Sequence, residues 1–273
     1  MYLKGSGYKT IPANLTLRTE DSGITIAKVD IFFVRTKYFK KNYMKYADFE
    51  RFFSQKRLNR YVLACNGDKR KAMTLYRYNL RLSQEMFTII SCFEVSLRNA
   101  IDGVLVPELG PEWLKDSVMP GGIFTLPILY ETRDKIYTEY DKLTKKDNYS
   151  HSKLLASIGF GTWKYMFSPI QYLQTNQKLL DVFPCKQKSS MGNQLNRQYI
   201  YNELNKINSL RNRIAHHEPI CFRTGQDVIY TDYVIKELAK IQTLFSWMGI
   251  NGNSMLFGLN HVQKVCNKID GLK

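Results

Sequence analysis

The feature that most limits the fold of this chain is a long series of apolar residues at helical spacing between residues 69 and 104. The spacing of three or four positions matches one face of an α-helix, and the segment is far longer than a typical β-strand. We therefore expect one bent helix or two successive helices here, at the centre of the packing. The apolar positions are Ala72, Leu75, Tyr76, Leu80, Leu82, Met86, Ile89, Ile90, Phe93, Val95 and Leu97.

The rest of the chain also favours helices. Amphipathic patterns predict helices over residues 48–66, 128–146 and 231–248, and a Gly- and Pro-containing connection over 107–127 with Trp113 as its anchor. Residues 1–34 differ, because alternating apolar and polar residues there suggest a small hairpin or a loosely attached extension. A chain of 273 residues with 44% hydrophobic content can bury a full core. We expect an all-α fold with one domain over residues 35–273.

A polar motif follows another helical pattern late in the chain. The residues RNRIAHHEP occupy positions 211–219. Pro219 disfavours helix at the residue before it, so the helix should end near Glu218. Arg211 is then about one turn from the end, and the histidines lie on the last turn or just beyond it. The apolar stripe that leads to the motif consists of Ile200, Leu204, Ile207, Leu210 and Ile214.

Arginine and histidine in this arrangement are suited to cleaving RNA without a metal. Histidine exchanges protons near neutral pH, whereas arginine stays charged beside a phosphate. The spacing alone is common, and the alternative is that Arg213, His216 and His217 only place positive charge at a helix C-terminus. Adjacent helical residues point about 100° apart, so His217 ranks behind His216. Because adjacent residues are also poor metal ligands, we expect neither a metal nor a cofactor.

The formal charge of +16 favours an RNA partner over other macromolecules. Lys186 and Lys188 lie in a basic loop just before the motif helix, and together with Arg213 they are candidate phosphate contacts. The alternative explanation of the charge is solubility. Glu94 and Arg98 are four positions apart on the long helix, so an ordinary intrahelical ion pair is the first expectation for them.

Other classes of protein receive no support. The chain contains neither a membrane-spanning apolar run nor a signal peptide, so we expect a cytoplasmic protein. Its five cysteines are widely spaced and lack a Cys-x-x-Cys pair, which argues against a disulfide framework and a zinc site. We expect reduced, buried thiols.

Four stretches together resemble the Abi-like (abortive infection) bacterial proteins, a branch of the HEPN superfamily. They span roughly residues 50–225, in the order expected for that family. The stretches are AMTLYRYN at 72–79, FEVSLRNAI at 93–101, GFGTW at 159–163 and LRNRIAHH at 210–217.

The resemblance implies a helical bundle with a four-helix core, additional helices, and a role in RNA cleavage or binding. Such proteins act in phage defence or as toxins of toxin–antitoxin pairs, commonly as homodimers, and some are paired with a small structured regulatory RNA. By position, Arg211, Asn212 and His216 match the family motif Arg-Asn-x-x-x-His, while Glu94 and Arg98 are auxiliary candidates. In this interpretation His216 is the general acid or base, Arg211 holds the phosphate and Asn212 orients the histidine or the sugar.

Two alternatives to an endoribonuclease remain at this point. The first is a non-catalytic RNA-binding module that uses the same basic surface. The second is a protein-binding antitoxin or scaffold. The presence of both Arg211 and His216 favours the enzyme over the scaffold, whereas the charge favours either RNA function and does not separate them.

Overall fold

The long apolar pattern forms one continuous helix. A computed structural model describes residues 44–189 and 194–273, and within them helix α3 runs without a break over Lys69–Leu109. The Asp68 carboxylate caps its first turn by accepting hydrogen bonds from the backbone N–H groups of Arg70 and Lys71. Gly110, with φ of 95°, ends the helix. Of the two possibilities left by the sequence, the single helix is correct.

The predicted helix over residues 48–66 is two helices, so that prediction was wrong. Ser54, with φ of 65°, separates them, and its hydroxyl caps the second by accepting from the backbone N–H of Arg57. Positive φ in a serine is uncommon and has no Gly or Pro signal, which is why the pattern missed the break. The two helices are α1, Tyr46–Phe53, and α2, Gln55–Ala64.

The remaining helices follow in chain order. The 107–127 connection contains one short helix, and Trp113 is its anchor as predicted, with 1% of its surface exposed and its indole N–H bound to Asp102 at 2.7 Å. Short 3₁₀ turns cover Pro127–Leu129 and Lys178–Val182. The helices are α4, Trp113–Asp116; α5, Tyr130–Lys145; α6, His151–Ser157; α7, Phe160–Tyr165; α8, Pro169–Gln174; α9, Arg197–Ala215; α10, Asp232–Trp247; α11, Gly252–Met255; and α12, Val262–Asp270.

Helix α3 is the centre of the core. It packs against α2, α9, α10, α12 and the start of α7. Phe93, in its middle, contacts the rings of Phe160 and Phe245, at 6.2 and 5.3 Å between centroids. In residues 44–189 and 194–273 the fold is all-α, with one isolated bridge between Phe222 and Ile229. The hairpin expected in residues 1–34 lies outside the described residues.

Helix α9 runs antiparallel to both of its long neighbours. Along α3, Asn79 contacts the segment just after α9, whereas Glu94, farther along α3, lies near Arg211. Against α10, the rings of Tyr199 and Trp247 are 5.9 Å apart. The end of α9 that carries the motif is therefore held by α3 on one side and by the start of α10 on another.

A few side chains differ in burial from the expectation. Leu80 and Val95 belong to the apolar pattern of α3, but they are 43% and 41% exposed. Cys185 is exposed rather than buried, because it lies in the loop after the second 3₁₀ turn. In the described part of the chain, no helix combines the length and apolar composition needed to cross a bilayer.

Candidate functional site

The motif lies at the C-terminus of α9, where the helix ends in a Schellman turn. The N–H of His217 bonds to the carbonyl of Ile214 at 3.0 Å, and the N–H of Glu218 to that of Arg213 at 2.8 Å. This pairing requires a left-handed residue after the helix cap. His217 has this conformation, with φ of 56°, and His216 is the cap. Both imidazoles are exposed.

Two residues that the sequence interpretation did not single out hold this turn in place. The Arg57 guanidinium, on α2, donates to the carbonyl oxygen of His217 and to the hydroxyl of Tyr76 at 3.2 Å. Asn79 of α3 is buried, and its Oδ1 accepts from the backbone N–H groups of Ile220 and Cys221, at 2.9 and 3.2 Å. Two sequence signals pointed to Asn79: it is a polar residue inside the apolar pattern of α3, and it ends the stretch at 72–79 that resembles the Abi-like proteins.

Arg211 is half-buried and has unused hydrogen-bond donors. Its Nη1 lies 3.5 Å from Oδ1 of Asn212, which is a weak contact. Its Nε is buried and has no partner within the described residues. A buried guanidinium N–H without an acceptor is costly, so a bound phosphate oxygen would satisfy a donor that the protein leaves free.

Glu94 faces Arg211 across the interface between α3 and α9. Burial raises the pKa of the Glu94 carboxyl, while the charge of Arg211, the backbone N–H of Phe160 and the charge of Arg98 act in the opposite direction. The structure thus brings Glu94 close to Arg211, and it brings Arg98 and the first residue of α7 close to Glu94. Glu94 is placed to restrain the guanidinium without neutralising it in a close ion pair, since no oxygen–nitrogen distance of 4.0 Å or less joins them.

The intrahelical ion pair expected between Glu94 and Arg98 does not form, since no nitrogen–oxygen distance of 4.0 Å or less joins the two side chains, so that expectation was wrong. Arg98 instead donates from Nη1 to the carbonyl oxygen of Ala156, 3.3 Å away, just before the end of α6. Arg98 therefore bonds to a carbonyl oxygen that is distant in sequence and not to the carboxylate of Glu94 on the same helix. Arg98 acts on Glu94 only through its charge.

Arg211 and His216 do not share a face of helix α9. Five positions at about 100° each place their directions about 140° apart, with about 7.5 Å of helix between them. Asn212 lies between the two, one position after Arg211 and about 40° from His216. Asn212 and His216 are exposed, whereas Arg211 turns towards α3. The chain therefore presents the guanidinium and the imidazole to neighbouring but different surfaces.

The three basic residues proposed from the sequence as phosphate contacts lie in different surroundings. The guanidinium of Arg213 donates to the Pro219 carbonyl at 2.6 Å and lies over the ring of Tyr233 at 5.5 Å. Lys186 and Lys188 lie near the opposite end of α9, because the backbone of Cys185 bonds to Trp247, which contacts Tyr199. The structure does not bring these lysines together with Arg211 and His216.

No group of three or more His, Cys, Asp and Glu side chains suited to a metal occurs in residues 44–189 and 194–273. Among the surface cavities are five of about 320 to 540 Å³, and none of these five is lined by Arg211 or His216. Asn212 and His216 are exposed, which suits a macromolecular ligand better than a small enclosed one.

The sequence from residue 37 to residue 221 matches the family described as Abi-like protein, and the match covers more than half of the chain. It includes α1 to α9, the Schellman turn and the two backbone groups bound by Asn79. No match was found among curated proteins or among solved structures.

Proposed function

Since the chain belongs to the Abi-like protein family, we propose that it is a metal-independent endoribonuclease of the abortive-infection type. It would act in phage defence or as a toxin, in the cytoplasm, and a small structured RNA would be a second partner. The resemblance of Arg211-Asn212-x-x-x-His216 to the HEPN motif supports cleavage. The charge of +16 supports RNA as the ligand.

The reaction uses the RNA's own 2′-hydroxyl as nucleophile. That oxygen attacks the adjacent phosphorus while His216 removes its proton, and the bond from phosphorus to the 5′-oxygen breaks. The leaving oxygen takes up a proton, which leaves a 2′,3′-cyclic phosphate on one product and a 5′-hydroxyl on the other. Arg211 stabilises the charge that develops on the phosphate oxygens, and Asn212 orients the sugar or the imidazole.

The observation that carries this proposal is the state of Arg211. Its Nε is a buried donor without an acceptor, beside a carboxylate that attracts it without forming a close pair. Arg213 and Arg57, by contrast, each donate to a backbone carbonyl near the motif. Arg98, beside Glu94, also has a buried Nε without an acceptor among the described residues. Glu94 is a positioning residue in this scheme, because it holds the guanidinium and does not touch the phosphate.

We propose that a homodimer completes the site. Because Arg211 and His216 point about 140° apart on one helix, one phosphate is reached more readily by an arginine from one copy and a histidine from the other. Val95, one residue from Glu94, and Met255, which contacts Ser96, are exposed apolar side chains that a second copy would cover.

The test compares purified wild type with His216→Ala and Arg211→Ala variants on end-labelled RNA in excess EDTA. Each variant should lose cleavage by about 100-fold or more, while circular dichroism stays unchanged. Mixing the two inactive variants should restore part of the activity, because one mixed dimer contains one intact pair. Restoration would be absent if both residues acted within one copy, and equal cleavage by His216→Ala would refute the catalytic assignment.

The non-catalytic RNA-binding module is the second candidate, favoured by the net charge alone. RNA binding by the wild type without any cleavage, in EDTA and with magnesium, would select it. A protein-binding scaffold would bind RNA no more tightly than a control protein of equal charge.

A further inference from the structure

Lys164 is a buried cation that the fold does not neutralise. Only 6% of its surface is exposed, and its Nζ donates to Oδ1 of Asn205 at 3.0 Å. In residues 44–189 and 194–273, no carboxylate oxygen lies within 4.0 Å of it. Burial lowers the pKa of the Lys164 ammonium, and the nearby charge of Lys135 lowers it further. A buried ammonium without a counter-charge destabilises a fold, so a role outside stability is called for.

A second lysine shares the same aromatic ring. The Nζ of Lys164 is 4.2 Å from the centre of the Tyr165 ring, and the Nζ of Lys135, on α5, is 5.4 Å from it. The ring of Tyr201 lies 5.6 Å from Lys164. Within the described chain, Lys135 also lacks a carboxylate oxygen at 4.0 Å or less. Two ammonium groups near one ring repel each other, and an anion bound beside that ring would stabilise both.

Lys164 lies along the helix that carries the motif. Helix α7 begins at Phe160, whose backbone N–H bonds to the Glu94 carboxyl beside Arg211. One turn later in α7, Lys164 donates a hydrogen bond to Asn205 of α9. Asn205 precedes Arg211 by six positions, or about 9 Å of helix. Two surface cavities of about 350 and 320 Å³ are lined by Lys135 and Thr162, and the first is also lined by Tyr165, whose ring Lys164 contacts. A strand bound at Arg211 could therefore continue past Lys164.

We propose that Lys135 and Lys164 bind a backbone phosphate of the RNA, one position or a few positions away from the phosphate that is cleaved. This subsite rests on the proposed function only in taking RNA as the ligand. Glu131 lines the first cavity, and Asp134 and Glu139 line the second. These carboxylates repel a phosphate, so we place it beside the Tyr165 ring, which both ammonium groups approach.

The stability of a Lys164→Met variant separates this role from a structural one. Methionine keeps the length and the apolar contacts of the side chain and removes the buried charge, while Asn205 is exposed and can bond to water. If Lys164 serves to bind RNA, the Lys164→Met variant should melt at the same temperature as the wild type or higher, and it should bind RNA more weakly. If Lys164 is instead needed for packing, the Lys164→Met variant should have a lower melting temperature, and that result would count against the proposal.

The binding test uses the His216→Ala protein, so that cleavage does not interfere. Its affinity for a fluorescent single-stranded RNA is measured between about 50 and 200 mM salt. Adding Lys164→Met or Lys135→Gln should weaken binding about tenfold. Each should also reduce the slope of log affinity against log salt by about 0.7, the contribution of one phosphate contact. Lys135 is exposed, so its variant tests the site even if Lys164→Met does not fold.

Lys146→Gln is the matched control, since Lys146 is an exposed lysine at the end of the same helix as Lys135. Equal affinity and equal slope in all three lysine variants would overturn the subsite. A second arm adds inorganic phosphate. Protection from thermal unfolding by phosphate that depends on Lys164, without any effect of Lys164 on RNA binding, would indicate a free-anion site and also overturn it.

The subsite and the nuclease fail separately. If the wild type does not cleave RNA but both lysine variants lose affinity, the nuclease is wrong and the subsite stands. If the wild type cleaves RNA and the lysine variants bind it normally, the nuclease stands and the subsite is wrong. Absence of any RNA binding at low salt would overturn both.

Discussion

The guanidinium of Arg57 donates a hydrogen bond to the carbonyl oxygen of His217, so a residue of α2 fixes the turn that ends the motif helix. This contact joins positions 160 residues apart. It also holds His217 by its backbone, which leaves both imidazoles of the motif free. The position of His216 is therefore determined by tertiary contacts as well as by its own helix.

Arg57→Lys should loosen this turn. Lysine cannot donate to the His217 carbonyl and the Tyr76 hydroxyl from one planar group, so we expect a loss of about 1 kcal/mol in the free energy of unfolding. RNA cleavage should fall more than RNA binding. Urea unfolding and cleavage assays check this. Arg70→Lys is the control, because Arg70 is exposed at the start of α3; equal effects of the two changes would argue against the turn contact.

The His217→Gly variant tests which of the two adjacent histidines is required for cleavage. Glycine adopts the positive φ of this position without strain, so the folded state should be as stable as the wild type or more stable by up to about 1 kcal/mol. Cleavage should stay within about threefold of the wild type, in contrast to His216→Ala. Loss of cleavage in a folded His217→Gly protein would move the catalytic role to His217.

Asn79→Ala should destabilise the protein strongly. The change leaves two buried backbone N–H groups without an acceptor, so we expect a loss of about 2 to 4 kcal/mol. Asn99→Ala, an exposed position on the same helix, should change stability by less than about 1 kcal/mol. Denaturant unfolding of both variants measures the difference, and similar losses would mean that Asn79 does not anchor the segment after α9.

Glu237→Gln should alter the pH dependence of stability. Glu237 is buried on α10, and burial raises the pKa of its carboxyl, with the charge of Glu203 as a further cause. The folded state then binds a proton more tightly than the unfolded state. The resulting stability is fully present below the unfolded pKa, near 4.5, and is lost as the pH rises through the folded value.

Glutamine avoids that loss, so Glu237→Gln should be more stable than the wild type at about pH 7.5 and similar to it at about pH 4. Urea unfolding at both values provides the measurement, with Glu131→Gln as an exposed control of equal charge change. A variant that is less stable than the wild type at pH 7.5 would show that the ionised carboxylate contributes a favourable interaction there.

The sequence predicted those elements that depend on local spacing. The apolar repeat of α3 is a local signal, and the helix begins at the expected residue but continues through Pro107 to Leu109. Pro219 predicted the end of the motif helix near Glu218, and α9 ends earlier, at Ala215, where His217 adopts a positive φ. The break at Ser54 was missed because a serine with positive φ has no compositional signature.

The surroundings of the motif could not be predicted in the same way. Arg57 and Asn79 act on backbone groups more than 140 residues away, which no pattern along the chain indicates. The spacing of Glu94 and Arg98 suggested a local ion pair, but the carbonyl of Ala156 offered Arg98 a tertiary acceptor. The uncompensated charge of Lys164 became apparent only when burial and partners were known.

Cleavage of an RNA that carries a single 2′-deoxynucleotide tests the central claim most directly. The purified protein, in excess EDTA, is incubated with the unmodified RNA to locate a cut, and then with RNA that lacks the 2′-hydroxyl at that position. The account predicts a 2′,3′-cyclic phosphate in the first case and no cut at that position in the second. An unchanged cut in the deoxy-substituted RNA, with a 5′-phosphate on the product, would contradict it.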